Sequence, residues 1–157
     1  MRNASKAYDW IITTLETRQT PYLICGGLAA IAYGSKRTLN DIDIFIPKTN
    51  YCEIVAQGEN YITFGPERYQ DQYWNVDYTQ FTVSGQKIEI GNSDGAEIFD
   101  STKNKWVPIN IDFESYSIVS AFGREARFMK KPELINYKRK LAREVDIVDV
   151  DQINNPT

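Results

Sequence analysis

Apolar residues at Tyr8, Ile11, Ile12 and Leu15 repeat at helical spacing, which predicts an amphipathic helix capped near Ser5 and ending before Pro21. The short apolar run Tyr22 to Cys25 is ended by Gly26-Gly27 and reads as a buried strand. An Ala-rich helix follows from Leu28 to Tyr33, stopped by Gly34. Asp41 to Ile46 alternates strictly between polar or aromatic residues and isoleucine, the period of a strand, and Pro47 closes it. Thr49 to Gln57 is predicted as a helix with Thr49 or Asn50 as its cap. Trp74 to Val83 and Gln86 to Ile90 are β-rich and meet across Ser84-Gly85, the pattern of a hairpin. Asp94 to Glu97 reads as a capping box for a short helix through Asp100. Trp106 to Phe113 alternates again, and Ser117 to Phe122 and Glu125 to Met129 flank Gly123 as a second hairpin. Two helices close the chain, Pro132 to Arg143 and Asp146 to Ile153. Only Gly58 to Tyr73, polar and aromatic, has no clear period. The pattern is a mixed β-sheet with flanking helices, class α+β or α/β. Its N-terminal helix lies within residues 1–20, its sheet core within 22–130 and its C-terminal helices within 132–154.

At 157 residues the chain is sized for a single domain with its own core. It has no histidine, which excludes His general bases, Ser–His and Cys–His nucleophiles, and His-ligated metals. Its two cysteines, Cys25 and Cys52, sit in apolar contexts and are expected as buried free thiols in a reducing cytosol. Catalysis must therefore rest on carboxylates, Lys, Arg, hydroxyls or an oxygen-ligated metal. The net charge of −3 argues against a surface that grips duplex nucleic acid throughout. No signal-peptide pattern and no apolar run of membrane-spanning length occurs, so the expected location is the cytoplasm, with no membrane partner. Oligomeric state is not legible.

The sharpest feature is Asp41-Ile42-Asp43-Ile44-Phe45-Ile46. On a strand the isoleucines face the core, while Asp41 and Asp43 share the other face about 7 Å apart. Two such carboxylates repel unless a cation lies between them, and oxygen-only donors select Mg²⁺ or Mn²⁺. The alternative is a solvated acidic strand. Upstream, glycines at a strand-to-helix turn let a phosphate approach backbone N–H groups, though a plain tight turn also uses Gly-Gly. Between them, Lys36 and Arg37 can pair with phosphate oxygens or with Asp41 and Asp43.

The stretch from Ile24 to Ile46 (Ile-Cys-Gly-Gly-Leu-Ala-Ala-Ile-Ala-Tyr-Gly-Ser-Lys-Arg-Thr-Leu-Asn-Asp-Ile-Asp-Ile-Phe-Ile) resembles the DNA polymerase β-like nucleotidyltransferase superfamily. In particular it resembles the branch holding minimal nucleotidyltransferases, lincosamide nucleotidyltransferases and abortive-infection-type toxins. The resemblance implies a nucleotidyltransferase fold, with Asp41 and Asp43 as metal ligands and the backbone of Gly26, Gly27 and Leu28 as a phosphate cradle. It also implies a third acid on a later strand. Asp77, Glu89 and Asp112 all sit on alternating segments. Glu89 is favoured because its strand closes the hairpin after Ser84-Gly85; it departs from the usual Asp by one methylene.

On a helical wheel Lys138 falls inside the apolar stripe of Leu134, Ile135, Leu141 and Ala142. A buried ammonium needs a partner. Either it reaches a phosphate in the cleft or it pairs with a carboxylate such as Asp146 or Asp149. The resemblance supplies the first role, a phosphate-contacting lysine followed by Arg-x-x-Asp, here Arg143 to Asp146. Residues 124–143 carry a net charge of +6, read either as a solvated face or as a local patch for a nucleotide or an RNA end.

The resemblance implies transfer of a nucleoside monophosphate from an NTP to a hydroxyl of an RNA end, a protein or a small molecule. Asp41, Asp43 and Glu89 would hold Mg²⁺ or Mn²⁺, and Arg37 and Lys138 would contact the nucleotide. The other reading is a catalytically silent module of the same fold that binds nucleotide or a partner chain.

Overall fold

The structure, a computed structural model, describes residues 1–156. It begins with helix α1 (Ala4–Thr17), whose N-terminus is capped by the Asn3 side chain accepting from the Lys6 N–H at 3.0 Å. The cap sits two residues before the expected Ser5. Strand β1 (Leu23–Cys25) leads directly into α2 (Gly26–Ala32), which starts at the two glycines themselves rather than at Leu28. Strand β2 (Asp41–Ile46) has the expected bounds. Helix α3 (Lys48–Gln57) starts behind Pro47 without a side-chain cap, so neither Thr49 nor Asn50 caps it. Its buried face carries Tyr51 and Ile54, which leaves Cys52 exposed, contrary to expectation; Cys25 is buried, and both thiols are free.

The aperiodic stretch forms a 3₁₀ turn (Glu59–Tyr61) and a nine-residue strand, β3 (Ile62–Gln70). Two register shifts against β4 (Trp74–Val83) and a cis Gly65-Pro66 bond break its alternation, which hid it from a period search. Strands β4 and β5 (Gln86–Asn92) form the expected hairpin. Asp94 to Asp100 is no helix. Gly95 takes a left-handed φ of 73° in a turn, and β6 (Glu97–Asp100) follows, paired to the start of β4 and to β7 (Lys105–Pro108). The alternation of Trp106 to Phe113 carries a strand only as far as Pro108. The second hairpin, β8 (Ser117–Ala121) and β9 (Arg124–Phe128), is as expected. Helices α4 (Lys131–Leu141) and α5 (Glu144–Asn154) complete the α+β fold.

Among the described residues the strands form one mixed sheet in the order β7-β6-β4-β5-β2-β1-β9-β8, with β3 on the other edge of β4. Strand β2 runs parallel to β5 and antiparallel to β1. The register pairs Ile42 with Ile88 and Ile44 with Ile90, so these four isoleucines share one face. They are buried with Phe81 and with Tyr8, Ile11, Ile12 and Leu15 of α1 in a continuous core. Trp10 of α1 meets the Phe81 ring edge-on at 5.6 Å, which places α1 on this face. Filling one face with isoleucine leaves the opposite face of β2 and β5 for polar side chains.

Candidate active site

On that opposite face the register sets Asp43 beside Glu89 and Asp41 beside Lys87. One carboxylate oxygen from each of Asp41, Asp43 and Glu89 lies within 4.8 Å of the other two. Of the three candidates for the third acid, only Glu89 joins the pair. Asp77 pairs with Arg68 at 3.5 Å, and Asp112 accepts from the backbone of Glu114 in a turn. Burial pushes the Asp43 carboxyl well above its usual range, and the nearby charges of Glu89 and Asp41 push it further. Glu89 is raised by burial and by Asp41, with Gln80 and Lys87 working against the shift. Three crowded, oxygen-only donors are a set that a hard divalent cation satisfies, because it replaces mutual repulsion with attraction.

Gly26 adjoins this group with φ of 62°, a region that glycine enters without strain. The Asp43 carboxylate occupies the space a Cβ at residue 26 would need, so the glycine is required twice over. At Gly27 a Cβ would stand 3.2 Å from Cζ of Arg37, whose guanidinium lies over the turn. Leu28 turns its side chain into the core.

Helices α4 and α5 bring an ion cluster to the site. Lys138 is 1% exposed, and Asp146 and Asp149 are fully closed to solvent. Lys138 Nζ lies 2.8 Å from Asp149 and 3.2 Å from Asp146, the second of the two arrangements open from the sequence. Asp149 also accepts from Ser35 at 2.7 Å and from Arg37 at 3.0 Å. Burial opposes ionisation of Asp149, but its bonds from Lys138 and Ser35 and the Arg37 charge outweigh this and hold it below the usual carboxylate range. Arg143 grips Asp146 through Nε at 2.6 Å and Nη2 at 3.0 Å, and its guanidinium stacks 4.5 Å from the Trp74 ring.

Four of the eight cations of the basic stretch are engaged within the fold, whereas Lys130, Lys131 and Arg139 are exposed. Arg124 pairs with Asp9 and Glu16 of α1, Arg127 lies over the rings of Tyr22 and Tyr116, and Lys138 and Arg143 serve the buried acids.

Among these groups lies a cleft of about 320 Å³. It reaches Gly26, Gly27, Arg37, Lys138 and all three carboxylates, every predicted site residue except Leu28. It also reaches Arg143 of the Arg-x-x-Asp pattern and residues with no role read from the sequence: Tyr69, Asp71, Trp74, Tyr78 and Tyr137. Trp74 donates its indole N–H to the Tyr137 hydroxyl at 2.9 Å. Burial pushes the Tyr78 hydroxyl up to about 12, helped by the charges of Glu89 and Asp41. The available signal was the alternation Trp74, Val76, Tyr78, Gln80 on β4, whose side chains share the face of Glu89.

No family model matches the chain, and no curated protein matches it in sequence. Solved structures do. A proposed nucleotidyltransferase from Thermotoga maritima superposes with a TM-score of 0.72 at 16% identity, over 99% of this chain and 96% of that one. The lincosamide antibiotic adenylyltransferase LnuA, solved with lincomycin, gives 0.64 at 14% identity over all of both chains. ANT(2'')-Ia, solved with adenylyl-2''-tobramycin, gives 0.60 at 17% identity over 95% of this chain and 86% of that one. The chain has the nucleotidyltransferase fold. No helix among the described residues is long and apolar enough to cross a membrane.

Proposed function

We propose that this chain transfers a nucleoside monophosphate from a nucleoside triphosphate to a hydroxyl group of a small molecule. The observation that carries the reading is the convergence of Asp41, Asp43 and Glu89 from two adjacent parallel strands, with an oxygen of each within 4.8 Å of the others. These residues would hold Mg²⁺ or Mn²⁺. The bound cation supplies charge stabilisation at the reacting phosphate and lowers the pKa of a hydroxyl beside it.

The chain's own groups do the positioning. The turn at Gly26, Gly27 and Leu28 carries no side chain toward the cleft at its first two residues, so phosphate oxygens can approach its backbone. Arg37 uses one guanidinium N–H on Asp149 and lines the cleft, which leaves donors for a phosphate. Lys138, locked between Asp146 and Asp149, contributes positive potential, and its charge is felt as far as Asp43. In the transfer the acceptor hydroxyl gives up its proton to a carboxylate of the site or to water, and its oxygen bonds the α-phosphorus as the α–β bridging bond breaks and pyrophosphate leaves.

The cleft of about 320 Å³ is inside the range of small-ligand sites and carries the groups assigned to the nucleotide. Two of the matching structures are antibiotic-modifying adenylyltransferases of similar extent. An RNA end lacks comparable support from these structures. The test is a thermal-shift screen of each NTP with Mg²⁺, combined with pyrophosphate release in the presence of hydroxyl-bearing acceptors. Stabilisation with release supports the transferase. Stabilisation without release from any NTP identifies the silent nucleotide-binding module instead.

A further inference from the structure

Glu89 is held from behind. Gln80 on β4 stands directly across from it in the antiparallel β4–β5 register, and its side-chain amide donates to Glu89 Oε1 at 3.2 Å. The far end of the same amide is also fixed. Thr63 Oγ1 on β3 donates to Gln80 Oε1 at 3.0 Å and lies 2.9 Å from the Thr82 hydroxyl.

Chemistry sets the direction of every bond in this chain. An ionised carboxylate only accepts, so the amide must turn its NH₂ to Glu89 and its carbonyl to Thr63. Thr63 has one hydroxyl proton and directs it to that carbonyl, which leaves its lone pairs to accept from Thr82. The bonds therefore run one way, from Thr82 to Thr63 to Gln80 to Glu89, across three strands. A flipped amide would set its carbonyl against the Glu89 carboxylate and lose the bond that Gln80 donates to it.

The need for such a support follows from the side chain at position 89. Glutamate has one more methylene and one more rotatable bond than the aspartates it must meet, so its carboxylate has more places to go. We infer that Gln80 is a positioning residue: it fixes the Glu89 carboxylate where its oxygen meets those of Asp41 and Asp43, and Thr63 fixes the orientation of the Gln80 amide. This rests on the proposed metal-holding role of the three acids. An ordinary cross-strand pair would stabilise the sheet and leave cation binding untouched. A support for a ligand sets cation affinity, typically by tenfold or more.

The experiment measures Mn²⁺ affinity from the free-ion paramagnetic resonance signal for the parent chain, Gln80→Leu, Glu89→Asp and the double variant. The expected result is roughly tenfold weaker binding in Gln80→Leu. In the Glu89→Asp background, where the shortened carboxylate no longer meets the amide, Gln80→Leu should cause no further loss. Thr63→Val should weaken binding by about threefold and Thr63→Ser should restore it. Should Gln80→Leu fail to fold, Gln80→Asn, whose amide falls one methylene short, replaces it with the same expectation. Unchanged affinity in Gln80→Leu, or an equal loss in both backgrounds, overturns the inference and leaves the proposed function standing. A parent chain that binds no Mn²⁺ removes the metal-holding triad itself.

Discussion

The carboxylate of Asp43 fills the space beside Gly26 that any Cβ at position 26 would claim, while Gly26 itself holds a φ of 62°. The turn and the acid are thus fitted to each other. Gly26→Ala meets two costs, the left-handed backbone, about 1–2 kcal/mol for a residue with a Cβ, and displacement of Asp43. Gly123, at φ of 77° with nothing within 4 Å of its added Cβ, meets the backbone cost alone. Urea denaturation should show Gly26→Ala losing at least ~1 kcal/mol more than Gly123→Ala, and Mn²⁺ titration should show lower affinity only in the former. Equal losses in both variants, with cation affinity kept, would mean that Asp43 is not constrained by the turn.

Lys138 separates the structural from the catalytic contribution of α4. Lys138→Met keeps the length and the apolar fit but leaves Asp149 with Arg37 as its remaining cation and Asp146 with Arg143, so the unliganded protein should lose stability at neutral pH, by less than the ~3–5 kcal/mol of a fully stranded buried charge. The sign with pH follows from Asp149. Its folded pKa is depressed, so its stabilisation is present above the unfolded value near 4 and fades as pH falls through the lower folded value. Denaturation at pH 7 and pH 3 should therefore show a larger Lys138→Met penalty at pH 7. A penalty of the same size at both values would show that the loss is one of packing rather than of charge.

Asp43 and Glu89 give the opposite limb. Their folded pKa values are raised, so without divalent cations they favour the folded state below the ordinary carboxylate range and lose that advantage as pH rises through the folded values. In EDTA, Asp41→Asn with Asp43→Asn should raise the melting temperature at pH 8, on the order of 2–4 °C for each kcal/mol of relieved repulsion. Mn²⁺ should reverse the ranking by stabilising only the parent chain. A double variant that melts below the parent in EDTA would show that the carboxylates serve the fold.

Strand β2 and its acids were legible because one short segment carries a strict period of two with isoleucine as every second residue. Lys138 was legible as an anomaly, a charge on an apolar stripe, though two partners remained open until α5 placed Asp146 and Asp149 against it. Strand β3 was hidden by register shifts and a Gly-Pro step. Strand β6 was misread because Asp94 and Glu97 match a capping box by spacing, whereas Asp94 donates its N–H to the Asn92 side chain in a turn and Glu97 pairs with Asn75 and Pro108 across the sheet. The approach of Tyr69, Trp74, Tyr78 and Gln80 to the acids depends on which strands become neighbours, information that no local pattern holds.

The central claim is nucleotidyl transfer on the three carboxylates. Its most direct measurement incubates the protein with each α-³²P-labelled NTP, Mg²⁺ or Mn²⁺, and fractionated hydroxyl-bearing small molecules, then follows the label by chromatography. The account predicts that label from at least one NTP enters a small-molecule fraction, with pyrophosphate released in equal amount. The transfer should be abolished by EDTA and by Asp41→Asn with Asp43→Asn. Label that stays in the nucleotide with all four NTPs and both cations, or transfer that persists in the double variant, would contradict it.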